Sequence, residues 1–442
     1  MAMSRPKGAP SSAWSTLQWL RAPYPYLDHL ARTHGETFTL PLFGFPLVTF
    51  SNPEHVRDVF ADAGDDMHAG PFNQTLAPLL GFGSVLMADG TQHRRKRRLL
   101  MPPFHGERMQ AYGQTMLDET DAAIDDLPQG KPFSLHDPMQ DITLRVIIRT
   151  IFGFDGGPAA SEIIASLKEL LDLGSWAPLL VPAMQVDVGR FSPYGRFKRA
   201  VKESDQILYR EIARRRRDGT RGNDVLSLLL DARDEAGDPM NDEELRDELV
   251  TLLVAGHETT ATGLTWAMRW LLADPAIFHD LRDEIAALGA TPAPEKLAQL
   301  SLLDATVREA LRLVPIIPIV GRVLAKDQSV GGYDLVKGDI VVCSIYLAHR
   351  RPEAYPDPTR FDPRRFLGKK MSAAEFFPFG GGMRRCIGMQ FALWEMKMVL
   401  ARLVTRTEFE LVRPDVAMVR RSITITPGKG LPVILKTRRL AA

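Results

Sequence analysis

Apolar and polar positions follow two rhythms along the chain, one near two residues and one near three and a half. Thr37-Phe38-Thr39-Leu40-Pro41-Leu42 and Pro46-Leu47-Val48-Thr49-Phe50 read as two strands around Phe43-Gly44-Phe45. Tyr24 to His34 reads as a short helix ended by Gly35, and Ser51-Asn52-Pro53-Glu54 opens another that runs to about Asp62. Residues 64–90 are rich in Gly, Pro and Asn and predict a long, partly irregular loop of the kind usually kept for function. Helical spacing then dominates from Thr91 to about residue 290. Its longest stretch begins at Asn241-Asp242-Glu243-Glu244, which resembles a capping box, and ends at Asp274-Pro275, roughly 50 Å at 1.5 Å per residue. Ser301 to Leu313 predicts one more helix before Pro315. Ile316 to Ile345 is β-branched with turns at Gly331-Gly332 and Lys337-Gly338, so it predicts a small sheet. Residues 350–378 are irregular, Met389 to about Leu403 is helical, and 408–437 predict strands with a turn at Pro427-Gly428-Lys429-Gly430. The expected fold is mainly α with a smaller β region (α+β), the early strands sharing a sheet with those of 408–437. Residues 1–22 read as a loose leader. No stretch is polar and flexible enough to be a linker, so 23–442 is expected to be a single domain.

Composition narrows this. The 442 residues are 45% apolar and 25% charged with a net charge of +1, which fits a globular protein and favours neither nucleic acid nor acidic partners. Two cysteines, Cys343 and Cys386, exclude a disulfide scaffold and fit a reducing compartment. There is no internal repeat, no signal-peptide core and no run of about 20 apolar residues. A cytoplasmic protein without a membrane anchor is expected.

One stretch concentrates chemistry: Phe379-Gly380-Gly381-Gly382-Met383-Arg384-Arg385-Cys386-Ile387-Gly388, running straight into a helical pattern. A cysteine at a helix N-terminus meets exposed amides and a positive helix end, which favour the thiolate. The glycines permit positive φ and close approach to a flat ligand. Such a cysteine is either a thiolate ligand to a metal, haem iron above all, or a structural cysteine. The central helix carries Ala255-Gly256-His257-Glu258-Thr259-Thr260 among apolar neighbours. A threonine bonding back one turn can open the helix there, and an acid–alcohol pair beside the opening can relay protons. The plain alternative is a paired polar patch facing solvent. Glu309 and Arg312 share a helix face, and Arg365 in Pro363-Arg364-Arg365-Phe366 offers a second guanidinium to the same carboxylate. His93 and Arg97 lie one turn apart on a strongly basic helix. With Arg322 and Arg384 they can converge on two carboxylates. A nucleic-acid role for Arg94, Arg95, Lys96 and Arg98 is weakened by the near-neutral net charge and by the lack of a known binding module.

Taken together, these residues resemble the cytochrome P-450 superfamily of haem-thiolate monooxygenases. Phe379, Gly382, Arg384, Cys386 and Gly388 occupy every fixed position of the family's haem loop, and Ala255-Gly256-x-Glu258-Thr259-Thr260 matches its oxygen-activation motif. Glu309-x-x-Arg312 and Pro363-Arg364-Arg365-Phe366 match its two structural motifs, all in the family's order, over roughly residue 20 to the end. The resemblance implies the cytochrome P-450 fold with a long central helix over the haem, and heme b (iron protoporphyrin IX) as cofactor. Cys386 would be the proximal thiolate ligand, tuned by amides at Gly388, with Phe379 shielding that side of the haem. His93, Arg97, Arg322 and Arg384 would bind the propionates, although many members carry tryptophan where His93 stands. Glu258 and Thr259 would deliver protons, and Glu309, Arg312 and Arg365 would form the structural triad.

By family position the substrate pocket would draw on Phe72–Met87, Leu171–Val188, the helix face with Leu252, Ala255 and Gly256, the run with Ile316, Ile317, Ile319 and Val320, and the turn with Ile423. Its apolar lining implies a fatty acid, terpenoid, steroid or macrolide-like substrate, hydroxylated or epoxidised with one oxygen atom of dioxygen. No flavin or iron–sulfur region is fused to the chain. Electrons would come from a separate ferredoxin or flavodoxin and its NAD(P)H reductase, docking on the basic face of Arg94, Arg95, Lys96, Arg98 and Arg385 of a monomer. A peroxygenase or isomerase is the first rival, opposed by the intact Glu258-Thr259 pair. A non-enzymatic haem sensor is the second.

Overall fold

The computed structural model describes residues 5–10, 13–62, 64–104, 106, 108–154, 158–174, 185–219 and 222–440. Helices hold 57% of the chain, and the central one, Asp242–Ala273, sets the frame. The predicted capping box is formed: Glu244 N–H donates to Asn241 Oδ1 at 2.8 Å, and Asn241 N–H donates to Glu244 Oε2 at 3.1 Å. Asp242, Glu243 and Glu244 fill its first turn, where negative charge offsets the helix dipole. The helix is apolar on most of its circumference because it is covered on most sides. The helices His136–Phe152, Ser301–Leu313 and Met389–Arg406 and the strand Thr424–Pro427 pack against it.

The strands correct one expectation. Thr37–Leu42 and Phe45–Phe50 pair as a hairpin, and Phe45–Phe50 then runs parallel to Ile340–Ser344. The five-stranded sheet is completed by Ile319–Leu324 and the short Met67–His68. The early strands therefore join the strands of the 316–345 run. Those after the cysteine helix, Thr407–Leu411 and Pro432–Arg438, form a separate sheet with Pro132–Ser134. Strand partners are chosen by which apolar faces meet in the packed core, and spacing within one segment does not carry that choice.

The leader is also more ordered than its sequence predicts. Ala13–Arg21 is helical, Trp19 is buried, and Gly8 bridges Thr39 beside the hairpin. Trp14 and Leu17 stay exposed, so the segment lacks a clean apolar face and takes its order from the body of the protein. Within 64–90 the expected loop contains the short helices Gly70–Asn73 and Ala77–Leu80. No helix among the described residues is long and apolar enough to cross a membrane.

Candidate functional site

The cysteine loop is shaped by its glycines. Gly380 and Gly382 take φ of +67° and +62°, values that L side chains rarely adopt. Gly381 is extended, yet a Cβ there would lie 2.2 Å from the Phe60 ring, so the loop is glycine where it presses on the helix Pro53–Ala61. Cys386 N–H donates to Phe379 O at 3.0 Å and closes the loop. The sulfur sits at the start of the helix Met389–Arg406 with the Gly388 amide bonded to it, and Cys386 is exposed. Burial among neighbouring atoms raises its thiol pKa, and the Gly388 amide, Arg97 and Arg385 pull it the other way. The net direction is upward, with the amide and the two cations moderating it. Cys343 is fully buried in the strand Ile340–Ser344, and burial pushes its thiol up to about 12.

Beside the cysteine, basic groups from three segments face one another. His93 and Arg97 project from the helix Gly90–Leu100, Arg322 from the strand Ile319–Leu324, and Arg384 from the loop. His93 is buried, and no described residue hydrogen-bonds its imidazole. Burial, then Arg384, Arg97 and Arg322, lower its pKa to about 3. Arg322 is buried and donates to the Gly321 carbonyl at 2.8 Å. Arg384 pairs with Asp89 and reaches the Val85 carbonyl at 3.2 Å, while its Nε is buried without a partner. Burial lowers its pKa to about 10, against the pull of Asp89. A cluster of dehydrated cations with so little carboxylate around it is costly unless anions meet it.

On the central helix, residues 245–268 are buried or half-buried except Ala255, which is exposed. Thr259 Oγ1 donates to Ala255 O at 2.6 Å, the predicted bond back one turn. Gly256 packs closely on the neighbouring helix, where a Cβ would sit 3.1 Å from Ile147 Cδ1. Glu258 makes no hydrogen bond to Thr259. Its Oε2 accepts from Gln140 Nε2 at 2.7 Å, and its Oε1 lies 3.6 Å from His136 Nε2 and 4.0 Å from Arg421 Nε. Burial raises the Glu258 carboxyl, but His136, Arg421 and Gln140 together hold it below the usual carboxylate range.

The cytochrome P450 family model (written P-450 throughout) matches residues 6–430. The chain belongs to the cytochrome P-450 family. Mycobacterium tuberculosis cytochrome P-450 135B1 is 37% identical over 428 residues, 95% of this chain and 89% of that one. Cytochrome P-450 137 of the same species is 34% identical, over 93% and 85%. Among solved structures, retinoic acid-bound cyanobacterial CYP120A1 superposes with a TM-score of 0.87 at 25% identity, covering 99% of this chain and all of that one. The cytochrome P-450DA heme domain gives 0.86, also at 25% identity.

As a P-450, this chain is a haem monooxygenase. Its residues fit the cofactor. An exposed sulfur stands at a helix N-terminus, Arg322, Arg384 and the His93 imidazole supply donors suited to two carboxylates, and Arg97 acts on both the sulfur and His93. The structural motifs meet as expected. Glu309 accepts from Arg312 Nε at 2.7 Å and from Arg365 Nε at 3.1 Å.

The expected partner-docking face does not survive as drawn. Arg94 pairs with Asp65, Arg95 with Asp234 and Glu244, Lys96 with Glu244 and Glu248, and Arg98 with Glu235. Of the five cations, Arg385 alone is exposed and carries no ion pair among the described residues. Of the expected pocket residues, Ile316 is buried, and Leu252, Gly256, Ile317, Ile319 and Ile423 are half-buried. Ile425 N–H donates to Ile316 O at 2.9 Å, which brings the strand after the Ile423 turn against the Ile316 run. Residues 175–184 of the Leu171–Val188 stretch lie outside the described residues.

His136, Gln140, Arg421 and Asp89 were missed from sequence. Gln140 is 118 positions from the carboxylate it binds, and no local pattern marks it or His136. Asp89 alone left a signal, as an acid immediately before a basic helix.

Proposed function

We propose that Cys386 would hold the iron of heme b as its thiolate ligand, and that the enzyme inserts one oxygen atom of dioxygen into an apolar lipid-like substrate. The observation that carries this reading is Arg97, whose charge acts on the Cys386 thiol and also on His93 and Arg384. A thiolate and cations suited to two carboxylates would then hold one cofactor between them. When bound, haem supplies the dioxygen chemistry, with the second oxygen atom leaving as water. The Gly388 amide and Arg97 steady the charge on sulfur. His93, Arg97, Arg322 and Arg384 orient the cofactor through its two carboxylates, Arg384 exchanging Asp89 for one of them. Phe379 shields the sulfur side. Ala255 and Gly256 keep the facing side open, the Thr259 hydroxyl holds a proton at its edge, and Glu258 supplies protons from behind. Replacing Thr259 by alanine is expected to lower product formed per NADPH roughly tenfold, with peroxide rising to match. Unchanged coupling would remove Thr259 from the relay.

The half-buried Leu252, Ile317, Ile319 and Ile423 support a fatty acid, terpenoid, steroid or macrolide-like substrate. The retinoic acid named for the cyanobacterial relative, an apolar terpenoid acid, favours the terpenoid class. A spectral binding screen across the four classes tests this, and binding by polar molecules alone would overturn it. Electrons come in this reading from a ferredoxin or flavodoxin with its NAD(P)H reductase, delivered to a cytoplasmic monomer. Arg385, exposed beside the sulfur, is the contact we assign to that partner. Arg385→Glu is expected to slow reduction of the iron several-fold at low salt, leaving substrate affinity unchanged. An unaltered reduction rate would exclude it.

A further inference from the structure

The polar groups behind Glu258 are one hydrogen short. Thr265 Oγ1 donates to Ala261 O at 2.7 Å, which commits its only hydrogen. In the 3.1 Å contact between Thr265 Oγ1 and His136 Nδ1, the imidazole must therefore donate, so Nδ1 carries a hydrogen. In a neutral ring Nε2 would then be a bare acceptor. It faces Glu258 Oε1, another acceptor, at 3.6 Å. Both atoms are buried and neither has any other hydrogen-bond partner. Gln140 is already spent on Oε2, and Arg421, 4.0 Å from Oε1, is shared with Asp172 at 3.4 Å. His257, the next imidazole, is occupied with Thr143 at 3.0 Å and held neutral by burial, and Asp141 faces the same cluster from His136's own helix. Two buried acceptors opposed in this way are costly, and one proton between them removes the conflict whichever atom holds it.

We propose that His136 Nε2 and Glu258 Oε1 share one proton, and that His136 is a positioning residue that recharges Glu258 during turnover. This rests on the reading of Glu258 and Thr259 as the proton-delivery pair. In the recharging step the Nε2–H bond breaks and an O–H bond forms on Oε1, turning imidazolium and carboxylate into imidazole and carboxylic acid with no change in oxidation state. Solvent water then reprotonates Nε2. Each monooxygenation consumes two protons with its two electrons, so the acid must be refilled within the cycle. Thr265 fixes which ring nitrogen faces Glu258, and Gln140 fixes which carboxylate oxygen faces the ring.

The test uses the holoenzyme labelled with 15N-histidine, as its reduced, diamagnetic carbon monoxide complex. A downfield proton correlated with His136 Nε2 is expected in the parent and should vanish in Glu258→Gln, which leaves His136 in place. Absence of that resonance, or its survival in Glu258→Gln, overturns the proposal. In a second arm, His136→Gln is expected to lower product turnover roughly ten- to a hundredfold and to change the solvent deuterium isotope effect, with substrate affinity retained. An unchanged isotope effect and coupling would leave His136 a packing residue. Loss of the thiolate spectral signature in the unmodified enzyme would instead sink the haem-thiolate reading, so the two failures are distinguishable.

Discussion

Cys386→Ser removes the thiolate signature from the carbon monoxide difference spectrum of the reduced protein and lowers monooxygenation by about a thousandfold or more, equivalent to about 4 kcal/mol of barrier. Serine matches cysteine in shape but is a far weaker acid and, as a ligand to haem iron, would donate far less electron density than a thiolate. The substitution should scarcely disturb the fold. Cys386 is exposed, and the loop is closed by backbone bonds from Cys386 N–H to Phe379 O and from Gly380 N–H to Phe377 O. Exposed substitutions of this kind usually change stability by about 0.5 kcal/mol or less. Cys343→Ser is the control. That thiol is buried in a central strand, away from the loop, so the variant should lose some stability and keep the spectrum. A thiolate signature that survives Cys386→Ser, or disappears with Cys343→Ser, would reverse the assignment.

Glu309→Leu is expected to destabilise the folded protein by about 3–5 kcal/mol, a large share of a typical stability of about 5–15 kcal/mol. Glu309 and Arg312 are fully buried. Besides its two arginine partners, Glu309 Oε1 accepts from the Asp362 amide at 2.9 Å. Arg312 spends its remaining donors on the carbonyls of His349 at 2.9 Å, Pro358 at 2.7 Å and Arg360 at 3.2 Å. Removing the carboxylate leaves a fully buried guanidinium without its counter-charge, and Arg365 loses the same partner. The damage also travels. His349 Nε2 accepts from the Phe377 amide at 3.0 Å, and Phe377 carries the carbonyl that starts the cysteine loop. Haem retention should therefore fall alongside the urea midpoint. Arg365→Lys, which keeps a cation at a half-buried position, should cost much less. A midpoint shift worth under about 1 kcal/mol for Glu309→Leu would show that the irregular segment holds itself.

Much of this was legible in the sequence because it is encoded over a few neighbouring residues. Asn241 with Glu244 announces a helix start, and the central helix begins there. The glycines before Cys386 announce a loop that needs positive φ and close packing, and Gly380, Gly382 and Gly381 use both. Glu309 and Arg312 sit three apart on one helix face, so their pairing is a local geometric fact. The spacing of Arg365 pointed to the same carboxylate because the segment between is irregular and needs tying down.

What stayed hidden depends on neighbours that the chain brings together from afar. The basic helix read as a docking face, yet four of its cations are neutralised by acids at 65, 234, 235, 244 and 248, and no count of charge along the helix reveals that. Helix dipole and cations can be read along the chain, but the neighbouring atoms that push the Cys386 thiol upward cannot. Glu258 was identified from its motif. Its hydrogen bond from Gln140 and its approach to His136 were set by how the helix His136–Phe152 lies along the central one. Sequence by itself determined the family, the start of the central helix, the cysteine loop and the triad, because short-range backbone preference and side-chain spacing act within a few residues. Tertiary structure alone decided which sheet the early strands join, which cations remain free and what stands behind the acid. Those are outcomes of burial and electrostatics, and both depend on distances in space between residues more than a hundred positions apart.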